Sequence, residues 1–172
     1  MIGLGMGWSF RISSYHIKRR IDMRVGIGND HAAVNFKNVL KEYLENKGYE
    51  VIDYCSTDPQ AKDDYPDFGQ AVGEALVAGK IDKGVLICGT GVGISLAANK
   101  VPGIRCGVCS DTATARLIVQ HNNANIISLG ERIVGVELAK DILDSFFSAE
   151  FEGGRHARRV DKITAIEEKY NK

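Results

Sequence analysis

The sequence has no run of about 18 apolar residues, the length a membrane-spanning helix needs, so no transmembrane span is expected. It has no surplus of charge: 22 Lys and Arg stand against 22 Asp and Glu. A general nucleic-acid or anionic-membrane binder needs net positive charge, so both classes are set aside, while a local basic cluster still suits one small anion. Proline is scarce, with three residues against nineteen glycines, which predicts several tight turns. A secretory signal is missing too. The apolar start, residues 1–10, is followed rather than preceded by its positive charges (Arg11, Lys18, Arg19, Arg20), and no small-residue cleavage site comes after it. Residues 1–22 are therefore expected to form an N-terminal extension, a leader or a mis-assigned start, with one domain over 23–172 and a cytoplasmic location. With 44% hydrophobic and 26% charged residues over 172 positions, the chain suits one globular domain with a real core, not a disordered tail or a coiled coil.

Four cysteines are present: Cys55, Cys88, Cys106 and Cys109. Without a secretory signal, free thiols are expected. Cys106 and Cys109 have redox-motif spacing, yet they lie in Ile104–Ser110, an apolar stretch that reads as a buried strand. Residues three apart on a strand point to opposite faces, so packing is the expected role. No second cysteine pair completes a zinc site.

Arg24–Asn29 reads as a first strand, and Phe36, Val39, Leu40, Tyr43 and Leu44 mark a helix closed by Gly48. Tyr49–Asp53 is a second strand. A polar loop follows, then a helix opened by Pro66. Gly84–Cys88 is a short apolar strand, and a glycine-rich turn leads into a helix through Ala98. Ile104–Val108, a helix over Asp111–Gln120, Asn125–Leu129, an amphipathic helix over Gly135–Phe147 and a charged helix from Arg155 complete the chain. Strand and helix alternate, which predicts an α/β fold: a single doubly wound, Rossmann-like three-layer domain with a five-stranded parallel sheet.

In such sheets ligands sit outside the carboxyl ends of the strands. The segments around those ends supply Asn29, Asp30 and His31; Cys88 with Gly89, Thr90, Gly91, Val92 and Gly93; His121 and Asn122; and Arg132. An acid, two imidazoles, a thiol, a glycine turn and an arginine are thus expected at one sheet edge. The turn lacks the lysine of a Walker loop and the spacing of a dinucleotide fingerprint. It is either a close helix–strand turn or a nest of N–H groups for an anion. Cys88 in front of it is either packing or a thiol poised to become a nucleophile or general base. His31, His121, Cys88 and Asp30 are all zinc-ligand types, but no pair has short ligand spacing, so no metal is expected. Arg155 and Arg159 lie one helical turn apart and, with Arg132, suit a dianionic phosphate. A base, an oxyanion nest, a separate histidine and a phosphate clamp fit proton transfer beside the carbonyl of a phosphorylated sugar, with no cofactor.

Asn29–Ala32, Asp64–Pro66, Cys88–Ser95 with Ala97–Lys100, Gly103–Arg105, His121–Asn125 and Glu152–His156 with Arg159 carry a resemblance. Over about Arg24 to Glu168 the chain resembles the B-type ribose-5-phosphate isomerases, whose wider family includes galactose-6-phosphate isomerase subunits. The resemblance implies that Cys88 moves the proton between C1 and C2. Some relatives use a glutamate in the glycine loop, where this chain has Ile94 and Ser95. It also implies that Thr90 and the amides of Gly89, Gly91, Val92 and Gly93 hold the enediolate, and that His121, helped by Asp30, opens the furanose. Asn122 would then hold sugar hydroxyls, Tyr65 border the sugar, and His31, Arg132, Arg155 and Arg159 bind the phosphate. The implied assembly is a homodimer or tetramer whose metal-free sites are shared between subunits. Residues 1–22 have no counterpart in the family pattern, and the loop from Thr57 to Asp64 is longer than in some members. The alternatives are a six-carbon substrate such as allose or galactose 6-phosphate, a non-catalytic sugar-phosphate sensor, and a thiol redox protein using Cys106 and Cys109.

Overall fold

The computed structural model describes residues 22–55 and 63–170; the expected extension over 1–22, apart from Asp22, and most of the Thr57–Asp64 loop lie outside them. Five strands form one parallel sheet in the order β2-β1-β3-β5-β4. They are β1 (Arg24–Asn29), β2 (Glu50–Asp53), β3 (Lys83–Cys88), β4 (Cys106–Val108) and β5 (Ile126–Gly130). The helices are α1 (Val34–Asn46), α2 (Tyr65–Val77), α3 (Val92–Ala98), α4 (Thr112–Asn122), α5 (Val136–Ser148) and α6 (Arg155–Tyr170), with a 3-10 turn at His31–Ala33. This is the doubly wound α/β arrangement that the alternation predicts. Among the described residues no helix is long and apolar enough to cross a membrane.

The two-residue period of the strands divides the core in two. Val25, Ile27, Val85, Ile87, Ile127 and Leu129 face one side, where Phe36, Leu40 and Leu44 of α1, Ala115 and Val119 of α4, and Ile142, Leu143 and Phe146 of α5 cover them. Leu86, Cys88 and Ile126 face the other, against Val72 and Ala75 of α2 and Ile94 and Ala98 of α3. Gly69 lets α2 and α3 approach closely: a Cβ there would lie 2.7 Å from the carbonyl oxygen of Ile94. Lys37, buried on α1, bonds Asp53 of β2 at 2.8 Å, and Lys41 joins the same carboxylate at 3.1 Å. On the other flank of α1, the Tyr43 hydroxyl donates to Asp144 of α5 at 2.9 Å.

Two boundaries differ from the sequence reading by two residues, the others by one at most. β4 begins at Cys106 rather than Ile104, because side chains take the ladder positions: Arg105 N–H donates to Asn125 Oδ1 and Cys106 N–H to Asn99 Oδ1, both at 2.8 Å. α4 runs on through His121 and Asn122 and stops at Asn123, whose φ of 50° is left-handed. Cys106 packs with the α2–α3 core and Cys109 with the α1–α4–α5 core, so they do point to opposite faces. All four cysteines are free.

Candidate active site

The first group of site residues stands at the carboxyl edge of the sheet. β3 ends at Cys88, which is only 4% exposed. The chain then turns through Gly89, Thr90 and Gly91 into α3. Gly91 has φ 79°, and a Cβ on it would lie 2.9 Å from the carbonyl carbon of Leu129, so no other residue fits without strain. This conformation aims Gly91 N–H at Cys88 Sγ, 3.2 Å away. Two hydroxyls brace the turn: buried Ser128 Oγ donates to Gly91 O at 2.6 Å, and Thr90 Oγ1 accepts Val92 N–H at 3.3 Å. The glycine turn thus sets one amide, Gly91 N–H, on the thiol and the next, Val92 N–H, on the Thr90 hydroxyl, the backbone form from which anion nests are built.

Neighbouring loops close around it. Arg132 N–H donates to Gly89 O at 3.0 Å, and its guanidinium lies over Gly89, where a Cβ would be 3.4 Å from Cζ. Tyr65, at the start of α2, lays its ring on Gly93; a Cβ there would be 2.7 Å from the ring. At the end of β1, Asp30 is 7% exposed and its Oδ1 accepts Ala32 N–H at 3.0 Å, which caps the 3-10 turn. His31 is exposed, and its Nδ1–H donates to Asp63 O at 3.2 Å.

The second group does not share that edge, and here the sequence reading needs correction. His121 and Asn122 form the last turn of α4, just before β5 begins. In a parallel unit the segment that enters a strand lies at the opposite edge from the segment that leaves one. The register shows the span: Gly84 pairs with Ile126 at one edge and Cys88 with Gly130 at the other. Four residues at about 3.3 Å each separate the edges by roughly 13 Å. One chain therefore carries Cys88, the nest, Asp30, His31, Tyr65 and Arg132 at the carboxyl edge, and His121, Asn122, Arg155 and Arg159 at the amino edge.

The amino-edge group has a structure of its own. Glu152 N–H donates to Gln120 O at 3.0 Å, and Gly153 and Gly154, both at positive φ, turn the chain into α6. Arg155 and Arg159 stand exposed one turn apart on that helix. His156 is buried and stacks on His121, with ring centroids 4.2 Å apart and planes within 3°. Glu152 Oε2 lies 3.5 Å from His156 Nε2 and 3.9 Å from His121 Nε2. Sequence reasoning noted Glu152 and His156 only as parts of a motif. Their contact with His121 depends on the Gly153–Gly154 turn, and the four-residue spacing of Glu152 and His156 was the one signal available.

His121, Glu152 and His156 are the one group of three metal-ligand types gathered among the described residues. The geometry does not fit an ion. A metal must lie in the plane of each ligating ring at about 2.0–2.1 Å from its nitrogen, and two parallel stacked rings share no such point. Arg155 Nε also donates to His156 Nε2 at 3.2 Å, which occupies the lone pair a metal would need.

A cavity of 540 Å³ opens between β4 and α6, lined by Ile104, Arg105, Ile118, Asn122, Ile163 and Ile166 among others. It reaches the amino-edge group through Asn122 and does not touch Cys88.

Comparison with known proteins agrees with this fold. The sequence profile of the Ribose/Galactose Isomerase family matches residues 25–163. Ribose-5-phosphate isomerase B of Escherichia coli is 47% identical over 148 residues, covering 86% of this chain and 99% of that protein. The solved structure of Clostridium thermocellum ribose-5-phosphate isomerase B superposes with a TM-score of 0.84 at 54% identity, over 86% of this chain and 99% of the other. That of the Mycoplasma genitalium enzyme with bound ribulose-5-phosphate gives 0.80 at 41% identity, over 84% and 96%. The chain thus belongs to the ribose/galactose isomerase family and is an aldose–ketose isomerase of its B type.

Proposed function

We propose that the chain interconverts ribose 5-phosphate and ribulose 5-phosphate through an enediolate. The observation that carries this reading is the buried Cys88 thiol accepting Gly91 N–H at 3.2 Å at the mouth of a glycine nest. A sulfur held in that way serves as a base, and the neighbouring amides of Gly89–Gly93 await an oxyanion. His121 gives a proton to the ring oxygen of the furanose as the C1–O bond breaks, and Asp30 takes the proton that leaves the C1 hydroxyl. Cys88 then removes the proton on C2 of the open aldehyde. The nest and Thr90 hold the charge on the enediolate oxygens, the O2 hydroxyl proton passes to O1, and Cys88 gives its proton back to C1. His31, Arg132, Arg155 and Arg159 bind the phosphate, Asn122 holds sugar hydroxyls and Tyr65 borders the sugar.

These groups lie at two edges of one sheet, so the site is completed between two copies. The carboxyl edge of one protomer meets the amino edge of its partner. Exposed Val92, Leu96 and Ile133 on the first edge, and Ile163, Ile166 and the apolar groove beside α6 on the second, supply surface for that contact. The working thiol must stay reduced, which suits a cytoplasmic setting.

The test uses purified protein with EDTA present. Cys88→Ala and His121→Asn are each expected to lose about 10²–10⁴-fold in turnover of ribose 5-phosphate. Mixed one to one and allowed to exchange subunits, the two inactive variants form heterodimers with one intact site, and about a quarter of wild-type activity returns. No regained activity in mixtures shown to have exchanged subunits would refute the shared site. Full turnover by Cys88→Ala would refute the base. Faster turnover of allose or galactose 6-phosphate than of ribose 5-phosphate would move the assignment to six-carbon sugars.

A further inference from the structure

We infer that His156 is a positioning residue, the plate that holds the His121 imidazole in line for ring opening and links it to the phosphate-binding Arg155. This rests on the ring-opening role of His121 proposed above. His121 is about one-third exposed and sits on the last turn of a helix, so little from α4 itself fixes its ring. Its flat contact is His156, whose ring is 4% exposed and parallel to it at 4.2 Å. On its edge, His156 receives the Arg155 Nε–H at 3.2 Å. One buried ring therefore touches both the group that opens the sugar and the group that grips the phosphate. Glu152 closes the cluster from the loop, 3.5 Å from His156 and 3.9 Å from His121.

The direction of the Arg155 bond defines the state of the plate. A guanidinium donates only, so His156 Nε2 accepts and the ring is neutral with its proton on Nδ1. The surroundings agree: burial first, then His121 and Arg155, hold His156 below the usual histidine range, against the opposing pull of Glu152. A neutral ring stacks on His121 without adding a further positive charge beside Arg155 and Arg159.

The chemistry of the two substrates gives a readout that a merely structural role would not move. Ribose 5-phosphate is a closed furanose that must open before C2 can react. Ribulose 5-phosphate carries its phosphate on the oxygen that would close its furanose, so it is already open. In the second direction the open aldehyde can leave the enzyme and close in solution, so a misplaced His121 slows the first direction and spares the second.

The experiment compares His156→Phe, which keeps a flat ring, with His156→Leu, which fills the space without one. Both lose the acceptor for Arg155, so the difference between them isolates the stack. His156→Leu is expected to lose about tenfold or more in kcat with ribose 5-phosphate and to change less than threefold with ribulose 5-phosphate. His156→Phe should stay within about threefold of wild type in kcat in both directions. KM for both substrates should rise equally in the two variants. His121→Asn, run beside them, should show the directional loss most strongly. If that control is directional and the two His156 variants are indistinguishable, the positioning role is overturned. If His121→Asn slows both directions equally, the ring-opening reading falls and this inference falls with it. Thermal unfolding of each variant confirms that the comparison is between folded proteins, and a variant that fails to fold is replaced by His156→Tyr or His156→Met in the same design.

Discussion

Replacing Gly91 by alanine separates the geometry of the nest from the mere presence of Cys88. Two costs are legible. The φ of 79° puts an alanine in the left-handed region, and its Cβ would lie 2.9 Å from Leu129 C, 3.0 Å from Leu129 O and 3.1 Å from Gly130 N. All three are backbone atoms of strand β5, so they cannot step aside as a side-chain tip can. The left-handed conformation costs about 1–2 kcal/mol and the forced contact about 1–3, giving roughly 2–5 kcal/mol together. Two other glycines act as internal standards. Gly79 has φ 68° with nothing within 4 Å, so Gly79→Ala meets the conformational cost alone, about 1–2 kcal/mol. Gly135 has open space and no positive φ, so Gly135→Ala should be neutral or stabilising by up to about 1 kcal/mol. Urea unfolding of the three variants gives the stabilities. Activity should separate them further: a shift that turns Gly91 N–H away from Cys88 Sγ is expected to lower kcat/KM by about 10²-fold, while the other two stay near wild type. If Gly91→Ala matches Gly79→Ala in both stability and activity, the close packing of the nest on β5 has no role and the argument fails.

Two further outcomes follow from groups outside the site. Asp53 would have its carboxyl raised by burial, but hydrogen bonds from Cys55, Lys37 and Lys41 outweigh that and hold it well below the ordinary carboxylate range. A carboxyl lowered on folding stabilises the protein above about pH 4 and loses that effect as pH falls toward its folded value. Asp53→Asn, leaving buried Lys37 without its anion, should therefore cost about 1–3 kcal/mol near pH 7, the gap from wild type closing on acidification; a gap independent of pH in denaturant melts would contradict this. Burial raises Cys106 well above the usual thiol range, and burial with the nearby Asp111 pushes Cys109 up to about 12. Both should resist alkylation at pH 8 and stay unlinked under mild oxidation, and a mass spectrum showing a Cys106–Cys109 disulfide in folded protein would restore the redox reading.

The order of elements was legible because each local signal agreed with the fold. Phe36, Leu40 and Leu44 of the predicted stripe lie on the core side of α1 while its Val39 is exposed, Gly48 ends that turn at φ 90°, Pro66 stands in the first turn of α2, and the apolar run before Cys88 is the central strand. The start of β4 was not legible, because it depends on Asn99 and Asn125 reaching across the fold to take backbone positions. Hydrophobic pattern carries no record of such bonds. The nest was legible for a different reason. A glycine with φ 79° packed against the backbone of β5 leaves its mark as an obligatory residue, and its neighbours Gly89 and Gly93 sit beneath Arg132 and Tyr65.

The misplaced imidazole is the instructive case. His121 stands close in sequence to β5, and β5 leads to Arg132, so the sequence suggested one edge for both. Strand direction decides otherwise. A parallel sheet sorts residues by whether they precede or follow a strand, and His121 precedes β5 while Cys88 follows β3. The same rule gives the division a consequence. The proposed base and nest at one edge, and the proposed ring-opening acid and two arginines at the other, have no route to a common substrate within a chain whose sheet separates them by roughly 13 Å. They have one between chains, where the carboxyl edge of one copy meets the amino edge of another. Under the proposed roles, the distance between Cys88 and His121 would couple catalysis to assembly. Dilution below the dimer dissociation constant should abolish turnover while each protomer keeps its fold, and specific activity independent of concentration in a protein shown to be monomeric would break that link.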